Sequence, residues 1–315
     1  MYAIRPYRPI DDEAAVFALW QTTFELTWPL TRDVFRQVMV GAGVYRDGDH
    51  FVAEDSGAIL GFVATQVAPG ASAGHIGMLL VVPALRRRGI GRALHDLALA
   101  RLREHGVHRV QLGGGETYLW PGVPSTLEAA LAFFGACGWT FTETSYDLTQ
   151  DFRDYQAPPV LDQRVAELGV EMETGTRKGV ADLMTFVARE FPSWEVVYRS
   201  VAEHGDYSDF LVARDRDGRI IGAVILYTPL SHTRRLDVRW KTLLGEDVGA
   251  IGAVGVAAAD RGSGVGHALV ARAAEILRER GVRLGFIGWA WMIGLYGELG
   301  FQVWQEYQMS WCDLP

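Results

Sequence analysis

Two kinds of hydrophobic pattern alternate along this chain. Short runs of crowded or alternating apolar residues predict strands at 4–7, 51–53, 59–67, 75–82 and 109–112. Asp55-Ser56-Gly57 turns the second run into the third as a hairpin. Apolar residues at three- and four-residue spacing predict helices. Asp11 can cap one through residue 21, with Asp12 and Glu13 in its first turn, and Thr31 a second over 32–40. A helix over 93–105 places Leu94, Leu97, Ala98 and Leu102 on one face. A long loop, 113–125, precedes a helix at 127–134 and strands at 139–141 and 145–148.

Residues 151–165 break this rhythm. Asp151, Arg153, Asp154, Pro158 and Pro159 predict a linker. The order then restarts with a helix at 177–190. Hairpin strands at 210–212 and 220–226 follow, turned at Asp215-Arg216-Asp217-Gly218. A strand at 249–257 leads to a helix whose face carries Leu269, Ala273, Ile276 and Leu277. A strand at 283–287, a helix at 293–298 and strands at 301–306 and 307–311 close the chain.

The two halves superpose by subtraction. Arg261 against Arg86, Gly264 against Gly89, Gly266 against Gly91 and Leu269 against Leu94 all give 175. Gly222 against Gly61 gives 161, so the second half has a longer connection before its loop; it carries His232, Arg234, Arg235, Trp240 and Glu246. Leu295 against Phe133 gives 162, because the first half has the longer loop around Trp120. Such self-similarity predicts two domains of one fold: 1–150, a linker at 151–165, and 166–315.

Composition narrows the classes. The 315 residues suit two domains, and 49% hydrophobic with 22% charged describes a globular chain. A formal net charge of −8 argues against a general nucleic-acid partner and permits, without demanding, an amine substrate. Cys137 and Cys312 lie in different halves, which predicts neither a disulfide framework nor a CxxC metal site and fits a reducing cytoplasm. Met1-Tyr2-Ala3-Ile4-Arg5-Pro6 has no apolar signal core, and the apolar run 76–85 is too short to span a bilayer.

The chemistry lies between strand and helix in each half. Arg86-Arg87-Arg88-Gly89-Ile90-Gly91 and Arg261-Gly262-Ser263-Gly264-Val265-Gly266 share the pattern Arg-x-x-Gly-x-Gly. Glycines let backbone approach a ligand, and the free N–H groups of the next helix favour a phosphate or pyrophosphate. A P-loop would need Lys-Ser/Thr after the last glycine, where Arg92-Ala93 and His267-Ala268 stand. A dinucleotide fingerprint would need Gly or Ala where Leu94 and Leu269 stand. An ordinary glycine turn would explain one copy. It explains poorly two with the same spacing.

The motif, its flanks and its duplication resemble the coenzyme A loop of the GCN5-related N-acetyltransferases (GNAT), across nearly all of both halves. The tandem arrangement is similar to mycothiol synthase, with no motif that identifies that substrate. The resemblance implies two α/β domains, each a mixed, mostly antiparallel twisted sheet flanked by helices. It implies acetyl-CoA as co-substrate, its pyrophosphate on the two loops, and no metal. It further implies that the strand before each loop is splayed from its neighbour, and that Val81-Val82 and Val256-Ala257 hold the pantetheine arm. Arg86, Arg87, Arg88 and Arg92 suit the phosphates at the first loop, and Arg261 and His267 at the second.

Family members carry an acid tyrosine in a pattern like Leu-Tyr-x-x-Leu-Gly-Phe. Leu295-Tyr296-Gly297-Glu298-Leu299-Gly300-Phe301 matches it. The first half reads Phe133-Phe134-Gly135-Ala136-Cys137-Gly138-Trp139, and phenylalanine donates no proton. Tyr118 is a possible substitute that nothing in the spacing places. The usual base, a Glu about eight residues before the motif arginine, is absent, with Met78 and Ala253 there. Glu246 is the candidate base, with Asp247 beside it and His75 in the first half. Trp289, Trp291, Trp304 and Trp311 are core residues or the lining of an acceptor cleft. The expectation is a monomeric, cytoplasmic N-acetyltransferase with a pseudo-twofold domain pair. It acts on a small-molecule amine, mainly in the second domain, with no nucleic-acid or membrane partner. The competing expectations are a non-catalytic CoA-binding protein and an enzyme acting on protein N-termini.

Overall fold

A computed structural model describes residues 1–24, 26–40, 45–68, 70–115, 117–232 and 238–314. Arg234 and Arg235 of the second-half insertion lie outside these. The first half runs β1 (Ala3–Pro6), α1 (Pro9–Phe24), α2 (Arg32–Val40), β2 (Phe51–Asp55), β3 (Ala58–Gln66), β4 (Ala73–Val81), α3 (Ile90–Glu104), β5 (Arg109–Leu112), β6 (Val123–Pro124), α4 (Glu128–Ala136) and β7 (Glu143–Asp151). The second runs α5 (Pro159–Leu168), β8 (Glu171–Thr174), α6 (Val180–Glu190), α7 (Glu195–Glu203), β9 (Phe210–Arg214), β10 (Ile220–Tyr227), α8 (Lys241–Leu244), β11 (Val248–Val256), α9 (Val265–Glu279), β12 (Leu284–Ala290), α10 (Ile293–Glu298), β13 (Gln302–Met309) and β14 (Trp311–Asp313).

Both sheets are mixed and flanked by helices. In the first, the order is β1-β2-β3-β4-β5-β14, and only β4 and β5 are parallel. Within the second, eight-stranded sheet the run β8-β9-β10-β11-β12-β7 repeats that order, and within that run only β11 and β12 are parallel. The sixth strand of each of these runs is exchanged. β7, from the first half of the sequence, pairs with β12, as Leu148 with Ile287 and Asp151 with Leu284. β14, from the second half, pairs with β5, as Trp311 with Gln111 and Asp313 with Arg109.

The compact units therefore do not follow the expected division at 151–165. One draws on Met1–Ser145 and on the chain from Gln305, the other on Tyr146–Trp304. Within the expected linker, β7 continues to Asp151 and α5 begins at Pro159. Proline suits a first helical turn, and Gly169, at φ 65°, ends α5 in the left-handed conformation. Leu161, Val165 and Leu168 pack this helix against the second core. The strand expected at 139–141 does not form. Gly138 turns there at φ 95°, and the buried Trp139 donates its indole N–H to His95 Nε2 at 2.8 Å.

The cores repeat as well. Ile90, Leu94, Ala98 and Leu102 are the buried stripe of α3. Val265, Leu269, Ala273 and Ile276 are that of α9. Each helix lies tight against a strand glycine. A Cβ on Gly61 would stand 3.0 Å from Leu94 Cδ1, and one on Gly222 2.8 Å from Leu269 Cδ1. That contact explains why both copies keep glycine there.

The exchanged tail carries Tyr307, Met309 and Leu314, all buried. At about 1.5–3 kcal/mol each, their loss removes on the order of 5 kcal/mol. Deleting residues 305–315 should therefore unfold or severely destabilise the first unit, and the β5 amides, protected in the full chain, should exchange freely. Hydrogen exchange with mass spectrometry reads this directly; unchanged β5 protection would contradict the exchange.

Candidate active site

In each unit the parallel pair comes apart partway. β4 stays beside β5 only over Ala73–Ile76 against Arg109–Leu112, then continues to Val81. β11 stays beside β12 only from Val248↔Leu284 to Ala250↔Phe286, then continues to Val256. The far side remains paired. Val82 donates its N–H to Leu60 O at 2.9 Å, and Ala257 to Ile221 O at 2.8 Å. Val81, Val82, Val256 and Ala257 thus edge a gap that has no strand across it among the described residues.

Backbone irregularities make the gap. β4 slips register against β3 between Ile76 and Met78, so Gly77 is the extra residue of a bulge. β11 slips against β10 between Gly252 and Gly255. Ala253 takes φ 49° in that bulge, and Tyr198 of α7 donates its hydroxyl hydrogen to Ala253 O at 2.9 Å. On the facing strand, β12 slips between Ile287 and Ala290, and Trp289 takes φ 53°. Its N–H donates to the buried Asp147 Oδ1 at 2.9 Å. At the same offset of 175 the first unit has Gly114, at φ 67°. Non-glycine residues held left-handed cluster where function needs a fixed shape.

Each glycine loop sits at the open end of its gap. Gly89 and Gly264, at φ 84° and 97°, precede the first residues of α3 and α9, and neither helix has a side-chain cap. Their first amides are therefore available to an anion. The second glycines serve close approach instead. A Cβ on Gly91 would meet the Phe133 ring at 3.3 Å, and one on Gly266 would meet Val256 Cγ2 at 3.5 Å. Ile90 and Val265 bury their side chains and root the loops in the cores.

The cations are arranged differently from expectation. Arg86 Nε donates to Val81 O at 3.3 Å, and Arg261 Nε to Val256 O at 3.1 Å. The motif arginine thus ties the loop to the strand end in both copies. Arg87, at φ 65°, and Arg88 are exposed, whereas Gly262 and Ser263 stand at their places in the second loop. Ser263 donates its hydroxyl hydrogen to Asp260 O at 2.6 Å. Arg92 donates to Ala136 O at 2.5 Å, and His267 Nε2 lies 3.1 Å from Glu298 Oε2. Arg92 therefore braces the following helix, and His267 lies beside its counterpart.

Tyr296 lies on α10 and is 7% exposed, with its ring edge-on to Phe301. Its hydroxyl has no protein hydrogen-bond partner among the described residues and is not enclosed. Burial pushes its pKa up from the ordinary value, so the hydroxyl holds its proton at neutral pH. Phe134, its counterpart, packs against His95 and Trp139. Glu246 is not brought to this place. It is exposed in the turn before β11, about 20 Å along the strand from Ala253 at ~3.3 Å per residue. His75 lies in the paired stretch of β4, opposite Gln111. Its Nδ1 must donate to Gly113 O, at 3.1 Å, which leaves Nε2 as an acceptor, and burial lowers its pKa so that the ring is neutral.

Sequence reasoning missed Tyr198 and Asp147. Neither sits in a motif, and Asp147 reaches the second unit only through the strand exchange. No group of three or more metal-binding side chains occurs among the described residues, and none of the helices there is long and apolar enough to cross a membrane.

The chain belongs to the acetyltransferase (GNAT) family, whose model matches residues 14–139 and 180–301. Among solved structures it is similar to a GCN5-related glucosamine N-acetyltransferase region of a fungal multi-domain GH3 β-N-acetylglucosaminidase. That match has a TM-score of 0.92 and 34% identity, and covers 99% of this chain and 38% of the fungal one. A GCN5-related N-acetyltransferase from Sphaerobacter thermophilus gives TM-score 0.69 at 16% identity, covering 99% and 95%. A tandem GNAT protein from the clavulanic acid biosynthesis pathway gives 0.65 at 18%, covering 99% and 98%. These last two share the fold. No curated protein matches.

Tyr198→Phe should leave the Ala253 carbonyl without its donor inside the second unit. A loss of about 1–3 kcal/mol is expected for such a buried group, measured by urea unfolding. An unchanged midpoint would mean that the bulge does not depend on this bond.

Proposed function

We propose that this protein is an acetyl-CoA-dependent N-acetyltransferase acting on the primary amine of a small molecule, with its chemistry mainly in the second unit. An amino sugar is the first acceptor to test, because the fungal region similar to this chain over 99% of its length is described as a glucosamine N-acetyltransferase. The observation that carries the reading is the protonated Tyr296 hydroxyl, without a hydrogen-bond partner among the described residues, against Phe134 in the first unit. Monomeric action in the cytoplasm, consistent with free Cys137 and Cys312, completes the proposal.

In this reading the pyrophosphate rests on the amides after Gly264, and the pantetheine arm adds to the free side of Val256-Ala257 as a strand would. The neutral amine forms the new C–N bond as the C–S bond breaks. Tyr296 gives its proton to the departing thiolate. Ala253 stands where a family base would, and Glu246 lies far along the strand, so the ammonium proton leaves to water in the gap. The absent carboxylate at Met78 and Ala253 is the one feature favouring a non-catalytic CoA-binding protein. Release of free thiol from acetyl-CoA over a panel of amino sugars, other small amines and peptide N-termini separates these readings. Turnover with an amino sugar or another small amine is expected. Silence across the panel, with tight CoA binding, would support the binding protein.

Two variants sharpen the reading. Gly89→Val and Gly264→Val force a β-branched residue into a left-handed position beside the loop amides. Each should remove one CoA site in calorimetry, and full stoichiometry in both would displace the pyrophosphate from these loops. Tyr296→Phe should lower kcat by roughly 10²–10⁴-fold with nearly unchanged CoA affinity, while Phe134→Tyr should change little. Steady-state kinetics reads both; full activity in Tyr296→Phe would remove the proposed acid.

A further inference from the structure

The two loops differ in charge. The first reads Leu85-Arg86-Arg87-Arg88-Gly89; the second, at the same register, reads Asp260-Arg261-Gly262-Ser263-Gly264. Three arginines thus face one arginine and one aspartate. Arg261 is tied by Nε to Val256 O, and a second acid, Glu190, accepts the N–H of Ala258 at 3.1 Å just upstream. By its own side chains the second loop brings less positive charge to a pyrophosphate than the first.

A cation arrives from elsewhere. Arg164, on the solvent side of α5, donates Nε–H to Ser263 O at 2.9 Å. Its Cγ lies 3.4 Å from where a Cβ on Gly264 would stand, so its stem crosses the backbone at the start of α9. The equivalent side of Gly89 has nothing within 4 Å. Among the described residues the acid paired with the Arg164 guanidinium is Glu167, at 3.7 Å, and the arginine side chain stays 49% exposed. A cation held at the positive end of a helix is electrostatically unfavourable by itself. An anion between the two reverses the sign of that interaction. With Nε on the loop carbonyl, the remaining guanidinium N–H groups are free to pair with phosphate oxygens.

We propose that Arg164 is a phosphate-binding residue of the second unit, supplied by α5 to a loop that lacks the first loop's arginines. The proposal rests on the second loop being a CoA site. It predicts that this site depends on a helix outside the glycine motif.

The test isolates the second site with Gly89→Val, and independently with the double variant Arg87→Glu, Arg88→Glu should the first fold poorly. CoA is then titrated by calorimetry, and pantetheine, which has the same arm without phosphates, by NMR. Adding Arg164→Ala should weaken CoA binding by roughly 10–100-fold, the range of a charge-assisted hydrogen bond, and leave pantetheine binding unchanged. Arg164→Lys should restore part of the loss. Unchanged CoA affinity in Arg164→Ala would overturn the proposal. Equal loss of CoA and pantetheine binding would also overturn it, by making Arg164 a brace for the loop. If the isolating variants alone bound no CoA, the second loop would not be a CoA site, and both this proposal and the reading beneath it would fall.

Discussion

The structure depends on two parallel strand pairs that stop pairing. A strand edge with unpaired N–H and C=O groups is costly unless water or a ligand satisfies it. Here each pair parts after three or four residues. The separation is held by bulges at Gly77 and Ala253, by the left-handed backbone of Gly114 and Trp289, and in the second unit by hydrogen bonds from Tyr198 and to Asp147. The helix that follows each open strand starts without a side-chain cap. One end of each gap therefore suits an anion, and its wall suits an extended amide-bearing chain. Acetyl-CoA has both features, and the family to which the chain belongs is built on that match.

The copies have diverged while keeping this frame. Both use the motif arginine to fasten the loop to the strand end, and both place the residue after the last glycine beside the end of the next helix. They differ where a reaction would show it. The first has exposed Arg87 and Arg88 in its loop, and Phe134; the second has Arg164 lying across its loop, and Tyr296, whose hydroxyl has no hydrogen-bond partner among the described residues. Where the first unit has Met78, after the bulge glycine, the second has a strained Ala253 tied to a buried tyrosine. Maintaining that strain fits a unit whose gap must hold one shape.

Much of this was legible in the sequence, for physical reasons. Glycine spacing, the helix faces of Leu94 and Leu269, and the constant offset of 175 are local signals that survive any rearrangement of partners. The parting of the strands followed from the family resemblance. The strand exchange was not legible, because alternating residues such as those of β7 pack equally well in either unit. The helix α5 was hidden by flanking prolines and charges typical of a linker. Glu246 was chosen for its proximity in sequence to β11, and it stands at the end of that strand opposite the glycine loop. The anchoring of Arg86 and Arg261 on backbone carbonyls could not be read from charge alone.

The central claim is that the gap between β11 and β12 receives the pantetheine arm while the amides after Gly264 receive the pyrophosphate. A crystal structure of the full chain with acetyl-CoA tests it most directly. The account predicts phosphate oxygens within hydrogen-bond distance of the first α9 amides and of Arg164, the arm paired to the Val256-Ala257 backbone, and the thioester beside the Tyr296 hydroxyl. A ligand bound outside the gap, or in the first unit alone with Tyr296 remote from any thioester, would contradict it.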